Sequence, residues 1–235
     1  MLEKNIQIRC HHVTPDRRLS FSRLLEFFQD ASIARTEALG MGHDKTLDKG
    51  LLWVIARQKV EIRRMPVYDE TITLRAWPLE TMHILFPWQY EVVARGEVII
   101  TGSAVWTLID EVSRHFVFPE EYGIRLAGEG PGVPSLSSYR HLFSGEAKSA
   151  RLMPRFADLD LNGHMNNCRY FDVIWDFLPR EMQSISRPVR LEAEYLKEVR
   201  GGEWLEIHYE ESDGVWYFEG RSLLDPQFRI RVTPL

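Results

Sequence analysis

Two segments of helical periodicity, each followed by segments that alternate between apolar and polar residues, constrain the fold of this chain more than any other feature. Apolar residues recur at helical spacing over 20–39 and again over 165–178. Alternation typical of half-buried strands follows at 84–92 and 98–108, and at 205–209 in the second half. One helix followed by antiparallel strands, twice over, predicts an α+β protein in which each sheet covers its apolar face with its own helix.

The two halves also align with each other residue by residue. Residues 23–30 match 169–176 in charge and apolar character at seven of eight positions, the exception being Gln29 against Trp175, and the later stretch 58–74 aligns with 191–207 without a gap. Similarity that recurs at a nearly constant spacing is typical of an internal duplication. We therefore interpret the chain as two copies of one unit.

A change in composition separates the two copies. Residues 119–149 are rich in proline, glycine and serine, which favour an irregular connection over the surface. The sequence thus predicts an N-terminal domain over 1–118, a linker over 119–150 and a C-terminal domain over 151–235.

Composition limits the classes of function. The chain has 235 residues, a net charge of -5 and 44% hydrophobic residues, which predict a sizeable core and disfavour binding to nucleic acid or to an anionic membrane. Its two cysteines, Cys10 and Cys168, have no framework spacing, so we expect no disulfide and a reducing compartment. No apolar run approaches the ~18 residues of a membrane span, and we therefore expect a cytoplasmic protein.

The richest local chemistry lies in residues 158–167, which read Asp-Leu-Asp-Leu-Asn-Gly-His-Met-Asn-Asn. This segment places carboxylates, amides and an imidazole directly before the second predicted helix. The first N–H groups of a helix lack internal partners and carry partial positive charge, so they favour an anion or a developing oxyanion. We expect the N–H groups at the start of the 165–178 helix to help hold a reacting carbonyl.

This segment resembles the motif of acyl-acyl-carrier-protein thioesterases, whose two tandem hot dog domains each wrap a curved antiparallel sheet around a central helix. The resemblance implies that Asp160, Asn162 and His164 stand at catalytic positions. A weaker second patch, residues 194–199, is similar to the family segment that supplies a catalytic glutamate, which implies that role for Glu198. Plant members have a cysteine immediately after this glutamate, whereas this chain has a valine, which removes a cysteine nucleophile at that point.

Hydrolysis of a thioester fits these residue types, because it needs an activated water or carboxylate and donors aimed at the oxygen of the intermediate. Either Glu198 or Asp160 would activate water or attack, and His164 and Asn162 would polarise and orient; spacing does not decide between the two carboxylates. The aligned positions in the first half cannot do this chemistry. We therefore expect one active site per chain and an N-terminal domain that binds the acyl chain. Those aligned positions are Thr14, Asp16, Arg18 and Met65.

The resemblance implies an acyl carrier protein bearing a fatty acyl thioester as substrate, and neither a metal nor an organic cofactor. A basic rim would suit an acidic carrier but also the phosphates of coenzyme A, so an acyl-CoA thioesterase remains open. A non-catalytic module that binds acyl thioesters is the third alternative, and monomer and homodimer are both open. The residues expected to form the rim are Arg155, Arg169, Lys197 and Arg200.

Several residues also have simpler interpretations. Residues 158–169 match the first positions of a calcium loop but end in arginine instead of the required glutamate. A helix dipole would lower the thiol pKa of Cys168, yet a packed residue is the default. We expect His11 and His12 to be a surface pair on an extended segment. Glu198 has the alternative of an outward-facing charge on a strand, with no role in chemistry.

Three tryptophans of the first half either line a pocket or fill the core, and we favour the core: Trp77, Trp88 and Trp106.

Overall fold

A computed structural model describes residues 1–223 and 225–235 of the chain. The bounds of its strands and α-helices, in chain order, are β1 Leu2–Gln7, α1 Phe21–Ala38, β2 Leu51–Ile62, β3 Thr71–Pro78, β4 Leu85–Ala94, β5 Glu97–Asp110, β6 Lys148–Leu152, α2 Arg169–Trp175, α3 Arg180–Gln183, β7 Val189–Tyr195, β8 Leu205–Ser212, β9 Val215–Ser222 and β10 Asp225–Pro234. The alternating segments and the first helix thus form as predicted.

All ten strands form one antiparallel sheet in the order β1-β3-β4-β5-β2-β7-β10-β9-β8-β6. If β6 to β10 are the second copies of β1 to β5, each half of the sheet has the same strand order, counted from its outer edge: first, third, fourth, fifth and second strand. A duplicated unit requires this symmetry. The two halves meet where β2 pairs with β7, with Val60 opposite Leu191. The predicted α+β architecture is therefore present, and the halves share one continuous sheet.

Helix α1 lies against the apolar face of the first half of this sheet. Ser20 caps the helix by accepting the N–H of Arg23. The ring of Phe28 stacks on Tyr90 at 4.4 Å between centroids. Gly102 allows this close approach, because a Cβ at that position would lie 2.6 Å from the Phe28 ring.

Helix α2 occupies the corresponding position in the second half and packs against α1, with the rings of Phe21 and Phe171 4.6 Å apart. It begins at Arg169, four residues later than predicted. Met165 instead pairs with Leu159 in an isolated bridge, and this extended pairing excludes it from the helix. The predicted helix over 165–178 is therefore wrong at its start, and α2 also ends earlier than predicted, at Trp175.

The linker crosses the opposite face of the sheet. Its chain has neither helix nor strand over 123–147, although β6 begins inside the predicted range. The Trp77 indole N–H donates to the Pro131 carbonyl at 2.9 Å, and further along the linker His141 contacts Glu210 at 2.6 Å. The linker thus runs from the first half of the sheet to the second, and the predicted domain boundaries stay a prediction.

Among residues 1–223 and 225–235, no helix combines the length and apolar character needed to cross a membrane. Both cysteines are free thiols; Cys10 is exposed and Cys168 is buried.

Candidate active site

The site is built around the His164 loop, residues 155–166, which folds back on itself. The Asp160 N–H donates to the His164 carbonyl at 2.7 Å. The Asp160 carboxylate accepts the N–H groups of Asn162 at 2.8 Å and of His164 at 3.1 Å. Gly163 adopts the left-handed conformation, φ 77°, that the turn requires. The spacing of aspartate, asparagine, glycine and histidine therefore encodes this tight loop.

Strand-like pairing attaches the loop to the segment that follows β7. The Met165 N–H donates to the Val199 carbonyl at 2.7 Å, and His164 forms an antiparallel bridge with Arg200. These backbone bonds bring Glu198, next to the paired Val199, beside the loop. Two regions that are distant in the sequence thus meet at one place.

The imidazole and the carboxylate face each other there. His164 Nε2 lies 3.6 Å from Glu198 Oε2, with 7% of the histidine side chain and 32% of the glutamate side chain exposed. This separation permits charge attraction but exceeds a direct hydrogen bond. Glu198 lies beyond the end of β7 at Tyr195, so the alternative of an outward strand charge is wrong.

A cavity of about 650 Å³ opens between the two halves of the chain. All four predicted catalytic residues line it, so the structure brings them together at one wall. The opposite walls come from α1 and β2 of the first half. Lining residues from these two elements include Gln29, Ser32 and Thr36, and Trp53 and Ile55.

The tryptophans divide between the two interpretations that the sequence allowed. Trp88 and Trp106 are both buried in the core and line the cavity. Trp77 instead lies on the other face of the sheet, where it contacts the linker. Trp88 and Trp106 therefore fill the core, as expected, and also line the cavity, which the expectation did not include.

The first half repeats the path of the loop without its chemistry. In the Arg18 loop, residues 9–20, the Thr14 N–H donates to the Arg18 carbonyl at 2.9 Å, and the Leu19 N–H donates to the Pro66 carbonyl at 2.8 Å. Each bond matches one in the His164 loop. The residues at the corresponding positions are those that the alignment gave: Thr14, Asp16, Arg18 and Met65.

The expected oxyanion donors are mostly engaged. The N–H of Met165 donates to Val199, that of Asn166 to the Asp158 carbonyl at 2.8 Å, and that of Arg169 to the Asn166 carbonyl at 2.9 Å. The Cys168 N–H donates to the Asn166 side chain at 2.9 Å. The prediction that these four groups hold a reacting carbonyl is therefore wrong, because the loop uses them to fix its own shape.

Burial raises the pKa of the Cys168 thiol well above its usual range, opposite to the effect expected from a helix dipole. Its Sγ atom contacts the Gln29 side chain at 3.9 Å. A thiol that stays protonated and packed in the interior is a poor nucleophile, which agrees with the interpretation of Cys168 as a packed residue.

Asp158 has a structural partner. Its buried carboxylate accepts hydrogen bonds from the Arg155 side chain at 2.8 and 3.0 Å, and this contact lowers the pKa of Asp158. The calcium-loop alternative fails because both carboxylate oxygens of Asp158 are engaged.

His11 and His12 lie in a short 3₁₀ turn, not on the expected extended segment. Over residues 1–223 and 225–235, no cluster of three or more His, Cys, Asp or Glu side chains could hold a metal ion.

The predicted basic rim is largely neutralised by acidic neighbours. Arg155 pairs with Asp158, Arg169 with Glu26 at 3.1 Å, and Lys197 with Asp225 at 2.7 Å. Arg200 remains exposed beside the His164 loop. The rim therefore offers less free positive charge than the sequence indicates.

One charged neighbour of the site was missed. Arg114, in the turn after β5, places its guanidinium 3.4 Å from Glu198 Oε1. It belongs to the first half and lies 84 residues from Glu198 in the chain. No sequence signal marks it, because its proximity arises only when the two halves pack together.

Sequence models of two domain families match the chain. The acyl-ACP thioesterase N-terminal domain matches residues 1–122, and the acyl-ACP thioesterase C-terminal domain matches residues 144–232. Among curated proteins, a chloroplastic acyl-[acyl-carrier-protein] hydrolase of Cuphea viscosissima is 25% identical over 218 residues, which are 86% of this chain and 53% of that protein. A chloroplastic palmitoyl-acyl carrier protein thioesterase of Arabidopsis thaliana is 24% identical over 84% of this chain and 52% of its own. The chain spans about half the length of the curated relatives it matches.

Solved structures share the fold. An acyl-ACP thioesterase from Bacteroides thetaiotaomicron superposes with a TM-score of 0.83 at 21% identity, covering 98% of this chain and 96% of its own. A 12:0-ACP thioesterase from Umbellularia californica gives the same TM-score and identity, with 99% and 96% covered. The predicted α+β fold of two tandem hot dog domains is thus confirmed.

Proposed function

The chain belongs to the acyl-ACP thioesterase family, and from this premise we propose that it hydrolyses the thioester of an acylated carrier protein and releases a free fatty acid. One observation carries the proposal. His164 and Glu198 face each other at 3.6 Å on the wall of a cavity of about 650 Å³, a volume typical of small-molecule sites. The reaction centre and the space for an acyl chain therefore adjoin.

Glu198 is the better general base of the two carboxylates. The Asp160 carboxylate already accepts two backbone N–H groups of its own loop, whereas Glu198 faces the imidazole at the cavity wall. In the proposed reaction, Glu198 takes a proton from a water molecule as the oxygen of that water bonds to the thioester carbon. Asn162 and His164 donate hydrogen bonds to the carbonyl oxygen as it gains charge. The C–S bond then breaks, and the leaving sulfur receives the proton.

Exposed apolar side chains near the opening favour a protein-bound substrate. Leu161 and Phe116 line the cavity with exposed fractions of 85% and 64%, and Phe156, near the start of the His164 loop, is 94% exposed. Large apolar residues grouped on a surface are typical of protein contacts. An acyl carrier protein would cover them, whereas coenzyme A would not need to.

The central experiment follows thiol release from acyl-carrier and acyl-CoA thioesters. We expect His164→Ala and Glu198→Gln to lower kcat by roughly 10²- to 10⁴-fold while the acyl thioester still binds. Glu206→Gln is the matched control, because Glu206 pairs with His208 at 3.7 Å on the surface of β8. Full activity in both site variants would remove the site assignment. Binding without turnover by the unaltered chain would instead indicate the non-catalytic module.

A second experiment separates carrier from coenzyme A. Leu161→Asp should raise KM for the acyl carrier about tenfold, because an apolar contact is replaced by a charge, and leave KM for acyl-CoA unchanged. Leu142→Asp is the control, since Leu142 is 80% exposed in the linker. Equal effects on both substrates would contradict a carrier-specific contact.

Location and assembly are also proposals. The exposed free thiol of Cys10 supports a reducing compartment such as the cytoplasm. A homodimer stays a prediction, which sedimentation of the purified chain would test.

A further inference from the structure

Hydrogen bonds to Asp110 hold the turn that carries Arg114. The Asp110 side chain accepts the N–H groups of Val112 at 3.2 Å and Ser113 at 2.7 Å, and the Arg114 N–H donates to the Asp110 carbonyl at 3.0 Å. Arg114 itself has a φ of 59°, a conformation that is unfavourable for a residue with a Cβ. Such backbone strain persists only where the surrounding structure determines the conformation. The turn therefore holds the start of the arginine side chain in one direction.

That direction leads to the proposed general base. Arg114 Nη1 lies 3.4 Å from Glu198 Oε1, and the other oxygen of the same carboxylate lies 3.6 Å from His164 Nε2. The arginine and glutamate side chains are 31% and 32% exposed, so water weakens their attraction. The contact therefore matters more for where the carboxylate points than for the stability of the fold.

We propose that Arg114 is a positioning residue of the hydrolase, a fixed cation from the first half that holds Glu198 toward His164. This inference rests on the proposed function. Arg114 contacts Oε1 of Glu198, whereas the other oxygen of the carboxylate, Oε2, faces His164, so Arg114 acts through Glu198. It also makes the first half necessary for the chemistry, beyond its expected role in binding the acyl chain.

Displacing a catalytic group by about 1 Å can cost up to 10²-fold in rate, so Arg114→Ala should lower kcat by about 10- to 100-fold with KM within about threefold. Arg114→Lys keeps the charge and should recover part of kcat. Arg95→Ala is a matched control, because Arg95 also has a positive φ, 52°, and lies 3.6 Å from a glutamate, Glu70. We expect Arg95→Ala to leave both constants unchanged.

A double variant separates positioning from a general loss of structure. If Arg114 acts through Glu198, Arg114→Ala should have no further effect on kcat once Glu198 is glutamine. A further loss of the same size in the Glu198→Gln background would overturn the inference. So would a change confined to KM, because it would place Arg114 in substrate binding.

A measurement without turnover keeps this test separate from the test of function. The ¹⁵N shifts of the His164 ring, assigned by comparison with His164→Gln, should change in Arg114→Ala and not in Arg95→Ala. Unchanged shifts in Arg114→Ala would overturn the inference even if the enzyme is active. A wild-type chain that releases no thiol would refute the proposed function, while the ring shifts would still decide whether Arg114 positions the pair.

Discussion

At the residue scale, the site depends on one aspartate that shapes a loop and one glutamate that faces the imidazole of that loop. Asp160 accepts the N–H groups of Asn162 and His164, so its carboxylate fixes the backbone that carries the imidazole. Glu198 comes from a separate segment of the chain and faces the imidazole at the same wall of the cavity. The two carboxylates that the sequence could not rank thus have different environments: Oδ1 of Asp160 accepts two backbone N–H groups of its own loop, whereas the Glu198 carboxylate lies between the imidazole and the Arg114 guanidinium.

We predict that Asp160→Ala lowers kcat by about 10- to 100-fold and the free energy of unfolding by about 1–2 kcal/mol, because two backbone N–H groups of the loop lose their acceptor. Asp160→Asn keeps one acceptor oxygen and should lose less of both. Kinetics and urea unfolding measure the two effects. If the asparagine variant loses as much activity as the alanine variant while remaining fully stable, Asp160 has a direct chemical role instead.

At the element scale, α1 can approach the sheet closely only because β5 has a glycine beneath it. A Cβ at Gly102 would lie 2.6 Å from the Phe28 ring, which is itself stacked on Tyr90. The linker then holds the helix two turns further along, since the Glu129 carboxylate accepts the Arg35 Nε–H at 2.9 Å. One contact is steric and the other electrostatic, and each gives a separate prediction.

Gly102→Ala should lower the free energy of unfolding by about 1–3 kcal/mol, because the added methyl group forces Phe28 to shift within a packed core. Phe28→Leu is itself destabilising, but it removes the atoms that the methyl group meets. The double variant should therefore be more stable than the sum of the two single effects. Additive losses in denaturant unfolding would show that the two residues do not compete for this space.

Hydrogen bonds and charge attraction from Arg35 first, and then from the N-terminal ammonium of Met1, lower the pKa of Glu129 to about 2 from an ordinary value of 4.5. A carboxyl with a lowered pKa adds stability at pH values above 4.5, and this contribution disappears as the pH falls toward 2. Glu129→Gln should thus cost about 1–2 kcal/mol at pH 7 and progressively less below pH 4.5. Unfolding at several pH values measures this difference, with the exposed Glu121→Gln as control. A difference that is independent of pH would contradict the assignment.

At the scale of the whole molecule, the two halves form one site from unequal contributions. The second half supplies the His164 loop and Glu198, and the first half supplies Arg114 and the cavity wall along α1. Gln29 lies beside Cys168, and Thr36 is two helical turns further along α1, about 10 Å from it. The cavity, which His164 and Glu198 also line, therefore extends from the proposed reaction centre along α1 into the first half, and this is where we propose that the acyl chain lies.

Thr36→Phe should consequently lower the rate on long-chain thioesters at least about tenfold while short-chain substrates keep most of theirs. Thr36 is buried at the cavity wall, and its larger replacement fills the space that only a long chain reaches. Ala34→Phe, on the exposed side of the same helix, is the control. An equal loss for both chain lengths would place the acyl chain elsewhere.

The sequence alone determined the features that depend on near neighbours. The periodicity of 20–39 specified α1, alternation specified the strands, and the spacing from Asp160 to His164 specified the loop, because side chains a few residues apart bond to their own backbone. The aligned halves predicted two copies of one unit for the same reason, since similar local patterns fold alike, whereas the joining of their strands into one sheet was seen only in the structure. The proposed roles of the four site residues remain predictions.

Tertiary structure decided what depends on distant contacts. Pairing of Met165 with Val199 delayed the start of α2, and ion pairs with acidic neighbours neutralised most of the expected basic rim. Arg114 reached Glu198 across 84 residues only because β2 and β7 join the halves into one sheet. A local pattern contains no information about which distant side chain will face it, and this is why the sequence specified the loop but not the arginine beside it.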